Sequence, residues 1–177
     1  MDTAANVRIQ ETRPEEAELL RRLRQFVALR WVAVAGVLAS IAAAQTIFAI
    51  QVALAPVLAT LAGVTACNLA FWLWARSDRR LARTGRTLAY AQIATDLLGL
   101  TVLLHLTGGI ENPFFLFYFF HVGFSVILLE SRDAGPVTAL AIGLFVALAG
   151  AEYVGWLPHV RLDGFLPSEL YRQPATA

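Results

Sequence analysis

A stretch without any charged side chain runs from residue 31 to residue 75, and it limits the possible folds of this chain more than any other feature. As one helix these 45 residues would measure about 67 Å, which is enough for two crossings of a bilayer core. Gln51 and Pro56 lie near the middle of the stretch and indicate a turn between two membrane-spanning helices. A water-soluble domain is disfavoured, because 58% of the 177 residues are hydrophobic and only 15% are charged.

Further apolar stretches follow, and each is long enough to reach across much of a bilayer. The chain therefore predicts an all-α fold, a polytopic membrane bundle of five transmembrane helices. The five helices are predicted at about residues 28–49, 54–75, 87–106, 114–130 and 136–156.

The two ends of the chain are more polar than the predicted spans. Residues 1–27 are predicted to form a cytoplasmic segment that is unstructured to about residue 11 and continues from Thr12 as an interfacial helix. Pro14 would stand in the first turn of that helix. Residues 157–177 are predicted to be an external tail that leads to a missing sixth span, so the chain is expected to be a truncated or partial protein.

All 14 basic residues are arginine, and their distribution predicts the orientation in the membrane. Twelve of them lie either at or before Arg30, on the N-terminal flank of the first apolar stretch, or in the second and fourth connections, whereas Arg161 and Arg172 lie in the tail. The positive-inside rule therefore predicts a cytoplasmic N-terminus and an external C-terminus, as five crossings require. The net charge of +1 gives no reason to expect a nucleic-acid partner.

Two ionisable residues, Asp96 and His121, fall inside predicted spans, where a charge is costly. Counted from the external ends of the third and fourth helices, their depths differ by only about 5 Å, so antiparallel neighbours could pair them. Such a pair could exchange a proton or bind a ligand, or it could simply hold the helices together with Asp96 protonated. His105 and Glu152 lie near the predicted external surface, and we expect water to solvate them.

The sequence shows no catalytic or metal-binding constellation. Cys67 is the single cysteine, and no His/Cys/Asp cluster has the spacing of a structural metal site. The chain lacks lysine, so it has no phosphate-binding loop of the Walker type. No enzyme core and no metal cofactor are expected in this chain.

The stretch Thr107-Gly108-Gly109-Ile110-Glu111-Asn112-Pro113-Phe114 is the most informative in the sequence. Glycines can end one helix, and an Asn-Pro pair can cap and open the next, so its structural role needs no ligand. An unusual run of aromatic residues follows: Phe114, Phe115, Phe117, Tyr118, Phe119, Phe120 and Phe124. An aromatic wall, bare glycine backbone and a polar amide together suit a flat, amphipathic ring with acceptor oxygens.

The five fixed positions of this stretch resemble the GGxxNPF signature of the RegB-type redox-responsive sensor histidine kinases. They are Gly108, Gly109, Asn112, Pro113 and Phe114. The resemblance implies a six-helix membrane domain in the bacterial inner membrane, with the motif implicated in ubiquinone sensing. It also implies a homodimer, a cytoplasmic kinase region and a response regulator as partners. The family's kinase core and redox-active cysteine are absent here, and Cys67 does not correspond to that cysteine.

The resulting hypothesis is a membrane sensor domain that responds to quinone, or to its redox state, at the external ends of the third and fourth helices. Phe114, Phe117 and Tyr118 would stack on the ring, while Asn112 and the Gly109 backbone would bond its oxygens. His121 with Asp96 would distinguish quinone from quinol by proton exchange. The alternatives are a small transporter or channel subunit, an intramembrane enzyme, and a structural membrane protein without a ligand.

Overall fold

Five helices make up nearly all of the protein in this computed structural model, which describes residues 3–47, 49–50, 52–76, 78–128 and 134–160. No strand occurs within those ranges. The helices are α1 (Thr3–Thr46), α2 (Leu54–Ala75), α3 (Asp78–Leu106), α4 (Phe117–Leu128) and α5 (Ala134–Val154). Two single 3₁₀ turns, Gly109–Glu111 and Pro113–Leu116, connect α3 to α4. The predicted all-α membrane bundle is confirmed.

Four of the helices contain segments long and apolar enough to cross a membrane. These segments are Arg24–Thr46, Leu54–Ala75, Thr84–Leu106 and Ala134–Val154. The fourth predicted span is shorter than expected, because Pro113–Leu116 is a 3₁₀ turn and only Phe117–Leu128 is α-helical. Most large apolar side chains on the outer surface of the bundle are exposed, as lipid-facing residues would be.

The N-terminal prediction needs correction. α1 already begins at Thr3, so residues 3–11 are helical rather than unstructured, and Pro14 lies inside the helix instead of opening it. From there α1 runs without interruption to Thr46, so the N-terminal helical segment continues directly into the first span. Of the predicted tail, residues 157–160 are described, and residues 161–177 lie outside the described part of the chain.

α3 is the central helix of the bundle, since it packs against α1, α2, α4 and α5. Its buried face carries Ala89, Ile93, Leu97 and Leu104, which repeat at helical spacing. Gly99 brings α2 close, because a Cβ at this position would lie 2.7 Å from Cγ2 of Val64. A small residue at a helix contact is typical of membrane bundles.

The two ends of the bundle differ in chemistry. At the arginine end, defined by Arg22, Arg24 and Arg76, Arg24 Nε donates to the Ala75 carbonyl at 3.3 Å. Arg22 Nη1 donates to the Ile127 carbonyl at 2.6 Å, so two arginines bond the last carbonyls of neighbouring helices. At the turn end, residues 107–113 lie against the C-terminal end of α5. The candidate site is at this turn end.

Candidate functional site

Asn112 organises the turn between α3 and α4. Its Oδ1 accepts a hydrogen bond from the Phe114 backbone N–H at 2.9 Å, as an N-cap does. Its Nδ2 donates to the carbonyl of Thr107 at 2.7 Å and to Thr107 Oγ1 at 2.8 Å. The buried amide is thus bonded within the turn through both its oxygen and its nitrogen. Thr107 closes the turn, a role that the sequence analysis did not assign.

Position 109 requires glycine, because a carboxylate lies so close to its backbone that no Cβ would fit. Its φ is +57°, a left-handed conformation that glycine adopts without strain, and Gly108 at φ +108° precedes it. A Cβ at Gly109 would overlap Oε2 of Glu152 and lie 2.5 Å from Oε1. The second glycine of the GG pair therefore makes room for the Glu152 side chain.

Glu152 is fully buried near the end of α5, where its carboxylate lies between two histidines. Its Oε1 is 2.9 Å from Nδ1 of His105 on α3, and its Oε2 is 3.1 Å from Nδ1 of His159. Nε2 of His159 lies 3.6 Å from Oε2 of Glu111, which belongs to the turn. The expectation that water solvates Glu152 is wrong, because the chain after α5 folds back over the carboxylate with His159. The i,i+7 spacing of Glu152 and His159 is the only trace of this arrangement in the sequence.

The aromatic run divides between the interior and the outer surface. Tyr118 is buried, donates to or accepts from Thr101 Oγ1 at 2.6 Å, and packs edge-on against Phe145. Phe114 and Phe117 are exposed on the outer surface, with ring centroids 5.6 Å apart. The structure thus separates Tyr118 from the two phenylalanines with which it was expected to stack on one ring.

An apolar groove lies on the exposed face of α4. It has a volume of about 350 Å³ and is lined by Phe119, Phe120, Gly123, Phe124 and Ile127. Phe117 extends this surface toward the turn, since its ring centroid is 5.5 Å from that of Phe120.

His121 adjoins the groove, with its ring edge-on to Phe124 at a centroid distance of 6.3 Å. Its Nδ1 is 2.7 Å from the Phe117 carbonyl oxygen. Because a carbonyl only accepts, Nδ1 carries the proton, and Nε2 of the neutral ring is an acceptor.

Asp96 pairs with Arg30 and not with His121, so the expected proton-exchanging pair does not form. Arg30 Nε is 2.8 Å from Asp96 Oδ2, and Arg30 Nη2 is 2.7 Å from the same oxygen. The sequence analysis counted Arg30 among the flanking arginines. The uninterrupted α1 instead places it six residues, or about 9 Å, inside the span that starts at Arg24.

Buried amides surround this ion pair in the arginine half of the bundle. Asn68 of α2 donates through Nδ2 to the carbonyl of Val27 at 3.4 Å, three residues before Arg30. Gln92 lies one turn before Asp96 on α3 and is fully buried. The Arg30 guanidinium also lies 5.8 Å from the centre of the Phe71 ring. These contacts join α1, α2 and α3.

Within the described ranges, no group of three or more His, Cys, Asp or Glu side chains is arranged to hold a metal ion. Cys67 is exposed on α2. The polar chemistry of the described chain is therefore concentrated in the Arg30–Asp96 pair, the Glu152 cluster and the turn.

A helical bundle with apolar outer faces, a partly buried ion pair within its spans and a capped polar turn defines a polytopic membrane domain. The chain belongs to the PilS-like transmembrane domain family, whose six-span sequence model matches residues 13–163. It is also similar to the sensor histidine kinase RegB of Cereibacter sphaeroides, with 32% identity over 143 residues. That alignment covers 81% of this chain and 29% of RegB, so the chain spans less than a third of its relative's length. No solved structure matches the chain. The resemblance to the membrane domain of RegB-type kinases is confirmed.

Proposed function

We propose that this chain is the membrane sensor domain of a histidine kinase and that it senses the redox state of a quinone. Its family and its similarity to RegB support the sensor role. The observation that carries the quinone assignment is the exposed aromatic groove on α4, the helix that follows the GGxxNPF turn. A lipophilic quinone in the bilayer would reach this groove without passing through the bundle.

In this proposal the ring packs on the outer face of α4. Phe117, Phe120 and Phe124 supply the aromatic surface, with Phe114 at its turn end. Asn112 acts by fixing the turn from which α4 starts, because its amide is already bonded to Thr107 and to the Phe114 backbone. Gly108, Gly109 and Pro113 likewise shape the turn.

His121 is the group we assign to redox discrimination. A quinone offers only acceptor oxygens, whereas a quinol offers hydroxyl donors. Neutral His121 presents Nε2 as an acceptor, since its proton is on Nδ1 and bonds the Phe117 carbonyl. The neutral imidazole therefore favours the quinol, and Asp96 has no direct part in this choice because it is held by Arg30.

The signal would leave the site through helix packing. A ring bound to α4 would bias the contact of α4 with α3, and α3 is joined to α1 through Arg30 and Asp96. α1 extends more than 20 residues beyond its span at the arginine end, which the positive-inside rule places in the cytoplasm. We propose a homodimer, a cytoplasmic kinase region and a response regulator as the partners that receive this signal.

The test is equilibrium binding of a short-chain ubiquinone, oxidised and reduced, to the chain in lipid nanodiscs. Phe117→Ala should weaken binding of both forms about tenfold, because a stacked aromatic ring contributes about 1–1.5 kcal/mol. His121→Gln should abolish the preference for the reduced form, because its amide both donates and accepts.

Trp31→Ala is the matched control for Phe117→Ala. Trp31 is an aromatic residue on α1 with 42% exposure, against 43% for Phe117, and it lies outside the groove. If the wild type binds neither form, or if Trp31→Ala weakens binding as much as Phe117→Ala, the quinone assignment is wrong and the motif is a structural cap.

A further inference from the structure

We propose that His105, Glu152 and His159 form a proton-binding site that fastens the end of α5 to α3 and to the 107–113 turn, and that protonation closes it. The proposal concerns acidity and stands independently of quinone binding. The positive-inside rule places this turn end on the external side of the membrane, so the site would respond to the pH of that compartment.

The first support is geometric. The Glu152 carboxylate is fully buried, and each of its oxygens meets a different histidine, at 2.9 Å and 3.1 Å. His105 is in the last turn of α3, whereas His159 follows α5. A buried carboxylate needs a compensating positive charge or a proton of its own. Histidine is the side chain that ordinarily changes charge between pH 5 and 8.

The second support is the charge balance. Glu152 and Glu111 contribute two negative charges, and His159 lies between them with a nitrogen facing each carboxylate. Nδ1 is at hydrogen-bond distance from Glu152, whereas the 3.6 Å between Nε2 and Glu111 is an ionic contact, so an imidazolium at His159 would face a carboxylate on each side. Protonation of His159 leaves one negative charge, and protonation of His105 brings the cluster to neutrality. Acidification from pH 8 toward pH 5 therefore strengthens the contacts of Glu152 with the two histidines. At the alkaline end the buried carboxylate is left with neutral partners.

The third support is the mechanical link to the turn. The Glu152 oxygens lie directly against the Cα of Gly109, so that no Cβ would fit there. A change in the position of the Glu152 carboxylate therefore acts on the turn without an intermediate side chain. α5 also packs against α3 and α4, the two helices that the turn connects.

Other titratable groups near the cluster have separate partners. From α4, Tyr118 is bonded to Thr101, and His121 is bonded to the Phe117 carbonyl. His121 is the third of three histidines in the chain and lies outside the cluster, so it serves as an internal reference.

The experiment is hydrogen–deuterium exchange of the chain in nanodiscs at pH 5.5 and pH 8, corrected for intrinsic exchange rates, with EDTA present and quinone absent. We expect the amides of residues 107–112 to be roughly tenfold better protected at pH 5.5, because hydrogen bonds between charged groups are about twice as strong as neutral ones. Residues 54–75 of α2 should show no such difference.

Glu152→Gln should remove the pH dependence of exchange, His105→Gln and His159→Gln should each reduce it, and His121→Gln should retain it. Three separate variants keep the test decisive if one of them fails to fold. Equal protection at the two pH values in the wild type would overturn the proposal, as would a response that persists in all three cluster variants. Loss of the preference for the reduced quinone in His121→Gln, with an intact pH response of the turn, would separate this site from the groove.

Discussion

Two carboxylates in the described part of the chain lie inside the bundle, Asp96 partly buried and Glu152 fully buried, and the chemistry of their partners distinguishes the two regions. Asp96 is paired with Arg30, whose guanidinium is charged at every pH that the protein meets. Glu152 is paired with His105 and His159, whose charges depend on pH. The first contact is therefore a permanent joint between α1 and α3, and the second is a joint that can open and close.

Both contacts are made by α3, but they lie at different positions along that helix. Asp96 lies near the middle of the membrane-spanning part of α3, Thr84–Leu106, and His105 lies in the last turn of the helix. A helix that is fixed at one point and adjustable at the other can transmit a change at its turn end while its packing against α1 is kept. We infer that the residue paired with each carboxylate, rather than the carboxylate itself, determines which of the two contacts responds to pH.

Asp96→Asn is expected to lower the free energy of unfolding more than any other substitution considered below. Removal of one partner of a buried ion pair costs about 3–5 kcal/mol. The Arg30–Asp96 pair is partly buried, so we expect a loss at the lower end of that range, because Arg30 then remains charged inside the span. The free energy of unfolding, measured by detergent denaturation of the chain in bicelles, should fall by about 3 kcal/mol and by the same amount at pH 5.5 and pH 8.

The double variant Arg30→Gln with Asp96→Asn is the control for this prediction. It replaces the pair by two neutral amides that can bond each other, so it should be more stable than Asp96→Asn alone. A loss of under about 0.5 kcal/mol in Asp96→Asn, or a loss that changes with pH, would contradict the description of this pair as a permanent joint.

Gly109→Ala is expected to lower the free energy of unfolding by less than Asp96→Asn does, and to affect only the turn end of the bundle. The new Cβ would overlap Glu152 and would also require a left-handed conformation of alanine, which together cost about 2–3 kcal/mol. Because the substitution displaces the Glu152 carboxylate, the pH dependence of exchange in the turn should disappear as well. The Arg30–Asp96 pair should be unaffected.

Gly150→Ala is the matched control on α5, since a Cβ at Gly150 meets nothing within 4 Å. It should leave both stability and pH response unchanged or slightly improve stability. Addition of Glu152→Ala to Gly109→Ala should restore about half of the lost stability, because the overlap is relieved while the backbone strain remains. No recovery in this double variant would mean that Glu152 is not what requires the glycine.

The helices could be predicted from sequence because membrane spans follow from composition alone. The 45-residue gap between Arg30 and Arg76 predicted α2 with the same bounds as the structure, Leu54–Ala75. The start of α4 was placed less accurately, because Asn112 and Pro113 initiate a 3₁₀ turn before the α-helix. The cap role of Asn112 was readable from local turn chemistry, and the structure confirms that role.

The polar pairs could not be predicted, because they depend on which helices are neighbours. Depth along the span suggested His121 as the partner of Asp96, but depth does not specify the direction in which a side chain points. Arg30 was overlooked because a flanking arginine and an intramembrane arginine differ only in where the helix enters the membrane. Glu152 was expected in water, because the only hint in residues 155–160 is His159, and its spacing from Glu152 does not by itself indicate that the chain folds back over the carboxylate.

The smallest effect is expected from Tyr118→Phe, which removes a neutral contact on α3 between the two joints. The Tyr118 hydroxyl is 2.6 Å from Thr101 Oγ1, and Thr101 lies between Asp96 and His105. Hydrogen bonds between membrane helices contribute about 0.6 kcal/mol on average, so the loss should be near that value and independent of pH from 5.5 to 8. Thr101→Val should give the same loss, and the double variant should add nothing further. Quinone affinity should not change in Tyr118→Phe, because the Tyr118 side chain is buried in the core. If quinone affinity instead falls as much as in Phe117→Ala, Tyr118 contacts the ring. The quinone would then bind inside the bundle and not on the outer face of α4.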